Sequence, residues 1–200
     1  MKDPIRFYFD FISPYGYLCA QVIDDIAQKH GREVDWCPLL LGVTVLKVMG
    51  LKPVSETPLK NKYVLHDVPR LAKYLGVPFN RPKGELKPLP PLRAFVWLNK
   101  ENPTLAKTFA KAFFKAQWAH ARKLSEPNDV AEFAAGLGFD KTLIREAIRD
   151  PEVKQLLVDH VDDAIQKGVF GVPSLLIDGE LFWGVEQLPM IDQWLKKGGW

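Results

Sequence analysis

The stretch FYFDFISPYGYLCAQVIDDIAQKHG, residues 7–31, changes its hydrophobic period at its centre. Up to Asp10, apolar residues alternate with polar ones, which is typical of a β-strand. After Ser13-Pro14 the apolar residues recur at helical spacing as far as Gly31, a residue type that often follows a helix C-terminus. A serine followed by a proline is a favourable N-cap and first helical residue. Ser13 is therefore predicted to lie at a strand-to-helix junction.

A second strand is predicted soon after this helix. In REVDWCPLLLG, residues 32–42, Val34 and Trp36 alternate with polar neighbours. A strand, a helix and a further strand form a βαβ unit, whose right-handed crossover makes the two strands parallel. From residue 42 to about residue 168 the chain is predicted to form helical segments separated by glycine and proline stops.

The chain returns to β structure near its C-terminus. Asp178-Gly179 separates the apolar runs VPSLLID and ELFWG, a pattern that favours a two-residue hairpin turn. An amphipathic helix follows, with Glu186 and Gln187 expected at its start. The order βαβ…αββα predicts an α/β protein with a thioredoxin-like fold, a four-stranded mixed sheet and a large all-helical insertion. We assign residues 1–41 and 151–200 to the thioredoxin-like domain and residues 42–150 to the inserted helical domain.

The composition argues against several classes of protein. The 200 residues carry a net charge of +3, and no lysine and arginine cluster indicates a nucleic-acid partner. No apolar run approaches the ~20 residues that span a membrane, and Asp10 interrupts any secretory signal pattern. Cys19 and Cys37 form no CxxC pair and have no His/Cys cluster beside them. We therefore expect free thiols, a cytoplasmic location and no metal site.

The junction after the first strand is where thioredoxin-like folds carry their functional group. The N-terminus of a helix presents free N–H groups and a partial positive charge, which stabilise anions, thiolates included. Here that position reads Ser13-Pro14-Tyr15-Gly16, so dithiol exchange through this motif is excluded. A serine hydroxyl can instead donate a hydrogen bond to the thiolate of another molecule, and glutathione is the obvious cytosolic thiol.

Two C-terminal elements could complete a glutathione site. In this fold the residue before a cis-proline offers its backbone groups to a peptide, so the cysteinyl unit of glutathione could pair with Val172, next to Pro173. The segment FWGVEQ places Glu186 and Gln187 where polar side chains and free N–H groups could hold the γ-glutamyl end.

Three segments in this order, FYFDFISPYGYL, KNKYVLHDVPRLAKYLGVPF and GVFGVPSLLIDGELFWGVEQL, resemble the 2-hydroxychromene-2-carboxylate isomerase family. Its members are glutathione-dependent, kappa-class-like proteins of the thioredoxin superfamily. The resemblance implies that Ser13 engages the glutathione sulfur, that the Val172–Pro173 bond is cis, and that the protein is a homodimer. The family more often carries Asn-Asp or Gln-Asp after the WG pair, so Val185-Glu186 departs from its pattern.

The second substrate, which accepts the glutathione thiol, is predicted to bind to one face of a helix; we call this face the acceptor side. Lys60, Tyr63, Asp67 and Arg70 are spaced so that they share a face if the helix is continuous, although Pro69 is expected to interrupt it. Lys60, Tyr63 and Arg70 are candidate substrate-binding residues that would form a cationic wall for an anionic aromatic acid. In this hypothesis Asp67 and Arg70 can also form a structural ion pair. The alternative is a solvated polar face.

The resemblance implies a glutathione-dependent cis-trans isomerase that acts on aromatic 2-oxo-acids or their hemiketals by reversible thiol addition. Two alternatives stay open at this point. One is a glutathione transferase or peroxidase of kappa type using the same site. The other is a non-catalytic glutathione- or peptide-binding protein that keeps the fold.

Overall fold

The N-terminal part of the protein forms the predicted βαβ unit. The computed structural model describes residues 3–200, so Met1 and Lys2 of the predicted thioredoxin-like part lie outside it. The elements are β1 (Ile5–Phe9), α1 (Pro14–Lys29) and β2 (Val34–Pro38). Strands β1 and β2 are parallel, in a register that pairs Phe7 with Trp36.

The C-terminal hairpin is also confirmed. It consists of β3 (Ser174–Ile177) and β4 (Glu180–Trp183). The turn residues Asp178 and Gly179 both have positive φ, at 52° and 90°, as a two-residue turn of this kind requires. Strand β3 runs antiparallel to β1 and gives the sheet order β2-β1-β3-β4. The sheet is therefore four-stranded and mixed, which confirms the thioredoxin-like fold.

Helices fill the space between the two β parts and follow the hairpin. They are α2 (Pro58–Leu75), α3 (Leu89–Glu101), α4 (Pro103–Trp118), α5 (Pro127–Ala135), α6 (Lys141–Arg149), α7 (Pro151–Gln166) and α8 (Leu188–Lys197). A π-helical segment, Gly42–Val48, follows β2. Glu186 and Gln187 belong to a short 3-10 turn, Val185–Gln187, that leads directly into α8. Gln187 is the N-cap of α8, so the two residues lie at the start of the last helix as expected.

The expectation that Pro69 interrupts its helix is wrong. Helix α2 runs unbroken from Pro58 to Leu75 with Pro69 inside it. Proline removes one backbone N–H and its bond to the carbonyl four residues earlier, which costs the helix stability. Val68 and Ala72 on either side of Pro69 are buried in the core, and their burial offsets that cost.

An aromatic cluster joins the sheet to the inserted helices. The ring centroid of Phe9 lies 5.0 Å from that of Phe95 on α3 and 5.7 Å from that of Phe114 on α4. Phe11 packs in the same way against Phe113, at 4.7 Å. All of these rings are fully buried, so the core is continuous between the two parts of the chain.

Because Phe9 contacts both parts, we expect Phe9→Ala to lower the free energy of unfolding by about 3–5 kcal/mol, the usual cost of emptying a buried phenylalanine site. Circular dichroism and tryptophan fluorescence, followed in a denaturant titration, should show a single transition moved to lower denaturant. Leu59→Ala, at a side chain that is 85% exposed, is the control. Two separate transitions, with only one of them moved, would contradict this prediction.

Candidate functional site

Ser13 caps α1, and its hydroxyl still has a hydrogen to donate. Its Oγ accepts the Gly16 N–H at 3.1 Å, and its own N–H donates to the Asp10 carbonyl at 3.0 Å. A hydroxyl has one donor and two acceptor positions, so this cap uses only an acceptor position. Among residues 3–200 the Ser13 O–H has no acceptor. The hydroxyl is therefore able to cap the helix and to bind an anion at the same time.

The first turn of α1 is built to receive negative charge. Pro14 is the first helical residue, and no acidic residue lies in that turn. The N–H of Tyr15, the second helical residue, has no acceptor in the described part of the chain. The 16-residue helix adds the partial positive charge of its N-terminus, so this turn favours a thiolate, carboxylate or other anion.

The loop before Ser13 is fixed by the end of α4. The carbonyl oxygen of Phe11 accepts two hydrogen bonds, from Gln117 Nε2 at 2.6 Å and from Trp118 Nε1 at 2.9 Å. Both donor side chains are almost completely buried. The inserted helices therefore hold the strand-to-helix junction in place.

Asp10 ties this junction to the chain that follows β2. Its carboxylate accepts the N–H groups of Ile12 at 3.2 Å and of Leu41 at 3.0 Å, one on each oxygen. Asp10 is fully buried, and burial raises its pKa to about 7 although the two N–H groups act in the opposite direction. A group that titrates near neutrality therefore lies at the start of the loop that leads to Ser13.

The Val172–Pro173 peptide bond is cis, as expected. Strand β3 pairs with β1 in antiparallel fashion, with Ser174 opposite Tyr8, so the cis-proline loop enters the sheet at the end where the chain leaves β1 toward Ser13. The neighbours of Val172 are tied down, because Ser174 Oγ donates to the Gly171 carbonyl and Gly184 N–H donates to the Pro173 carbonyl. Within residues 3–200 the N–H and C=O of Val172 make no hydrogen bond, so both are available to an extended peptide.

Glycines bring the cis-proline loop and the 3-10 turn close to their neighbours. A Cβ at Gly171 would lie 2.8 Å from Nε1 of Trp183, so the half-exposed indole leaves no room for a side chain there. Gly184 has a φ of 108°, and the carboxylate of Glu186 folds back over it. Glu186 is exposed and Gln187 is half-buried, beside this loop.

The acceptor-side candidates fall into two groups. Tyr63 and Arg70 both bind the carboxylate of Asp67, Tyr63 through its hydroxyl at 3.1 Å. Tyr15 donates to the same carboxylate at 2.8 Å. Lys60 lies one turn before Tyr63 and is exposed. Sequence reasoning missed the link to Tyr15, because helical spacing relates residues within α2 but not residues of α1 and α2.

The two cysteines are poor candidates for chemistry. Both are free thiols, with Cys19 buried in α1 and Cys37 partly buried in β2. Burial raises the pKa of both thiols, and nearby carboxylates act in the same direction. Each therefore stays protonated near neutral pH and is a weak nucleophile.

The described residues offer neither a metal-binding cluster nor a membrane-spanning helix. Residues 3–200 contain no group of three or more His, Cys, Asp or Glu side chains that is placed to hold a metal ion. The helices within this range are too short or too polar for any of them to cross a membrane.

The sheet order, the cis-proline loop and the helix N-terminus beneath it agree with a family model of the DSBA-like thioredoxin domain, which matches residues 4–196. The chain belongs to this DSBA-like thioredoxin family. Members that exchange disulfides need a thiol at the N-terminus of the first helix, and this chain carries Ser13 there.

The resemblance to the 2-hydroxychromene-2-carboxylate isomerases is confirmed. The chain is 26% identical over 200 residues to 2-hydroxychromene-2-carboxylate isomerase of Sphingobium xenophagum, covering 98% of this chain and 99% of that protein. It is 23% identical to glutathione S-transferase kappa 1 of Homo sapiens, covering 94% and 88%. A solved 2-hydroxychromene-2-carboxylate isomerase structure superposes with a TM-score of 0.84 at 22% identity, covering 96% and 94%, and shares the fold.

The buried Asp10 should make the stability of the protein depend on pH. Its pKa in the folded state, about 7, exceeds the ordinary value of 3.8, so the folded state binds more protons than the unfolded state between these values. The free energy of unfolding should therefore fall as the pH rises through this range. Between pH 5 and pH 8 the wild-type protein should lose about 2–3 kcal/mol relative to Asp10→Asn.

The measurement is urea unfolding of both proteins across this pH range. The variant loses one of the two oxygens that accept N–H groups, so its free energy of unfolding is lower at pH 5. The titration of the Asp10 carboxyl group is therefore tested by the difference between the two proteins in the slope of the free energy of unfolding against pH. Parallel pH profiles for the two proteins would show that Asp10 does not titrate in this range.

Proposed function

We propose that the protein is a glutathione-dependent cis-trans isomerase of the 2-hydroxychromene-2-carboxylate type. The observation that carries the proposal is the Ser13 hydroxyl, whose hydrogen is free at the N-terminus of α1 where disulfide-exchanging relatives need a thiol. The names of the relatives support the class of reaction. Two free cysteines and a glutathione requirement agree with a reducing cytoplasm, and the proposal includes a homodimer.

Glutathione is proposed to bind along the cis-proline loop. The N–H and C=O of Val172 pair with its cysteinyl unit as a short antiparallel strand, and Pro173 sets the direction of the loop. The carboxylate of Glu186 faces the ammonium group of the γ-glutamyl unit, and Gln187 supplies an amide to its carboxylate. The sulfur then lies at Ser13, beside the free N–H of Tyr15.

The proposed reaction is reversible addition of the thiol to the substrate. Ser13 and the helix N-terminus stabilise the thiolate and so lower the pKa of the bound thiol. The thiolate forms a C–S bond to the conjugated carbon of an aromatic 2-oxo-acid, and the electron pair of the double bond moves to the oxo group as an enolate. The former double bond rotates as a single bond. The enolate then re-forms the double bond and expels the thiolate, so glutathione is not consumed.

The acceptor is proposed to lie against α2. Lys60 is exposed, and Arg70 keeps 64% of its side chain exposed while it binds Asp67. These two cations form a wall that attracts the substrate carboxylate. The Tyr63 hydroxyl, which donates to Asp67 and accepts from Arg70, holds Arg70 in this wall. Positioning and charge stabilisation are enough here, because the thiolate itself does the bond making.

A second candidate is a kappa-type glutathione transferase or peroxidase. The similarity to glutathione S-transferase kappa 1 of Homo sapiens favours it, and the same thiolate would attack another electrophile. Turnover of an isomerisable arylidene pyruvate distinguishes the isomerase, and net consumption of glutathione distinguishes the transferase. Glutathione binding without turnover of any electrophile would favour a non-catalytic binding protein.

Ser13→Ala should slow isomerisation by about 10²-fold, on the scale of losing one preorganised donor to a developing or bound anion. The pKa of bound glutathione, followed by thiolate absorbance, should rise because the donor is lost. Ser125→Ala is the matched control, since Ser125 is a buried serine whose Oγ accepts the Lys87 N–H elsewhere in the fold. If turnover by Ser13→Ala equals that of the wild type, Ser13 is only a helix cap.

Lys60→Ala should raise the KM for the aromatic acid about 5- to 10-fold, because one cation facing the substrate carboxylate is lost. The dissociation constant for glutathione should stay within twofold of the wild-type value, since the thiol site uses other residues. Lys73→Ala, which removes an exposed lysine from the last turn of the same helix, should change neither constant. An unchanged KM in Lys60→Ala would place the acceptor on another surface.

A further inference from the structure

Asp67 gathers three hydrogen-bond donors, and only one of them comes from outside its own helix. Tyr63 and Arg70 are neighbours of Asp67 on α2, whereas Tyr15 reaches it from the first turn of α1 at 2.8 Å. The Asp67 side chain is 10% exposed, so its charge depends on these donors rather than on water. Burial and the bond to Asp67 raise the pKa of Tyr15, which therefore stays protonated and keeps donating.

The N-terminal half of α2 has little else to hold it. The structure describes every residue of α2, and none of residues 58–66 is buried. Asp67 and Val68 are the first buried residues of the helix, and Ala72 is the next. Toward its other end, α2 leaves an open cavity of about 550 Å³ between itself, α1 and the turn before α8. Before Asp67, Val64 is partly buried and packs against the core, and within residues 3–200 the Tyr15–Asp67 bond is the first hydrogen bond, counted from the N-terminus of α2, that joins this helix to another element.

The helix is also weakest just after this point. Pro69 lacks an N–H, so the carbonyl of Leu65 loses its partner within the helix. Helices bend at such positions unless tertiary contacts hold them. The bond between Asp67 and Arg70 spans Pro69, and the bond between Tyr15 and Asp67 ties the preceding turn to α1.

We propose that the hydrogen bond from Tyr15 to Asp67 positions α2 over the N-terminal turn of α1 and thereby fixes the acceptor wall relative to the bound thiol. This inference rests on the proposed function for its catalytic consequence. The side chains of Tyr15 and Asp67 are positioning groups and touch neither the sulfur nor the substrate, whereas the backbone N–H of Tyr15 belongs to the proposed thiol site. Tyr15 follows Ser13 by two residues, so the contact joins the thiol site to the helix that carries Lys60.

The bond sets geometry rather than the charge of the sulfur. When it is removed, α2 moves more freely about Pro69 and the acceptor is held less accurately near the thiolate. Misplacement of one reactant lowers the rate even where all reacting groups are present. Glutathione affinity and the pKa of its thiol depend on Ser13 and the cis-proline loop, and they stay as in the wild type.

The test compares Tyr15→Phe with the wild-type protein in two measurements. Hydrogen exchange followed by mass spectrometry should show exchange of residues 58–66 at least 5-fold faster in the variant, without glutathione or substrate present. With an arylidene pyruvate as substrate, kcat/KM should fall about 10-fold, mainly through KM, while the glutathione dissociation constant and the thiolate absorbance stay unchanged. Tyr74→Phe removes an exposed hydroxyl from the same helix and should leave both measurements unchanged.

Asp67→Asn is the second variant. Its amide oxygen can still accept from Tyr15, so residues 58–66 should retain part of the wild-type protection against hydrogen exchange. Unchanged exchange of residues 58–66 in Tyr15→Phe would overturn the proposal, and so would a loss of thiolate absorbance, which would place the Tyr15 hydroxyl in the thiol site. If the wild-type protein binds no glutathione, the proposed function fails, yet the exchange measurement still decides whether this bond holds α2.

Discussion

The two hydrogen bonds that the Phe11 carbonyl accepts from Gln117 and Trp118 are the constraint on which the site depends. A strand-to-helix loop is an exposed and variable element in most proteins. Here the Phe11 carbonyl, in the middle of the loop, accepts from two buried side chains at the end of α4. The Asp10 carboxylate, at the start of the loop, accepts the N–H of Leu41 in the chain after β2. Ser13 follows directly, so the direction of its hydroxyl is fixed by the inserted helices as well as by the sheet.

This arrangement explains how the site can work without a thiol of its own. A cysteine at the helix N-terminus would itself ionise, and its own thiolate would occupy the position that favours an anion. A serine leaves the helix dipole and the free N–H of Tyr15 available to an anion brought by another molecule. The backbone groups of Val172, in the loop that enters the sheet at the same end, suit an extended peptide. The proposed ligand, a small peptide thiol, would use all three features.

The inserted helices then have two separate roles. Helices α3 and α4 complete the aromatic core around Phe9, and the end of α4 holds the loop before Ser13, whereas α2 is mostly exposed and is joined to α1 through Tyr15 and Asp67. A rigid part that stabilises charge and a more mobile part that selects the acceptor would allow relatives with one fold to use different electrophiles.

The local features of the fold could be predicted from the sequence. The period change at Ser13-Pro14, the Asp178-Gly179 turn and the family pattern around Val172 gave the strands, the hairpin and the cis bond correctly. Contacts between distant residues could not be predicted in this way, and the Tyr15–Asp67 bond is the clearest example.

Two further outcomes depended on packing that propensities do not describe. Pro69 is tolerated inside α2 because Val68 and Ala72 are buried, and the Phe11 carbonyl finds its donors more than a hundred residues later in the chain. Asp10 appeared in the sequence only as the polar end of a strand, and its burial depends on how the chain after β2 returns to it.

The account is tested most directly by a crystal structure of the protein with glutathione bound near neutral pH. We expect the sulfur within hydrogen-bonding distance of Ser13 Oγ, about 3.0–3.5 Å, and the cysteinyl N–H and C=O paired with Val172 in antiparallel fashion. Glutathione bound away from the cis-proline loop, or with its sulfur facing away from Ser13, would contradict it.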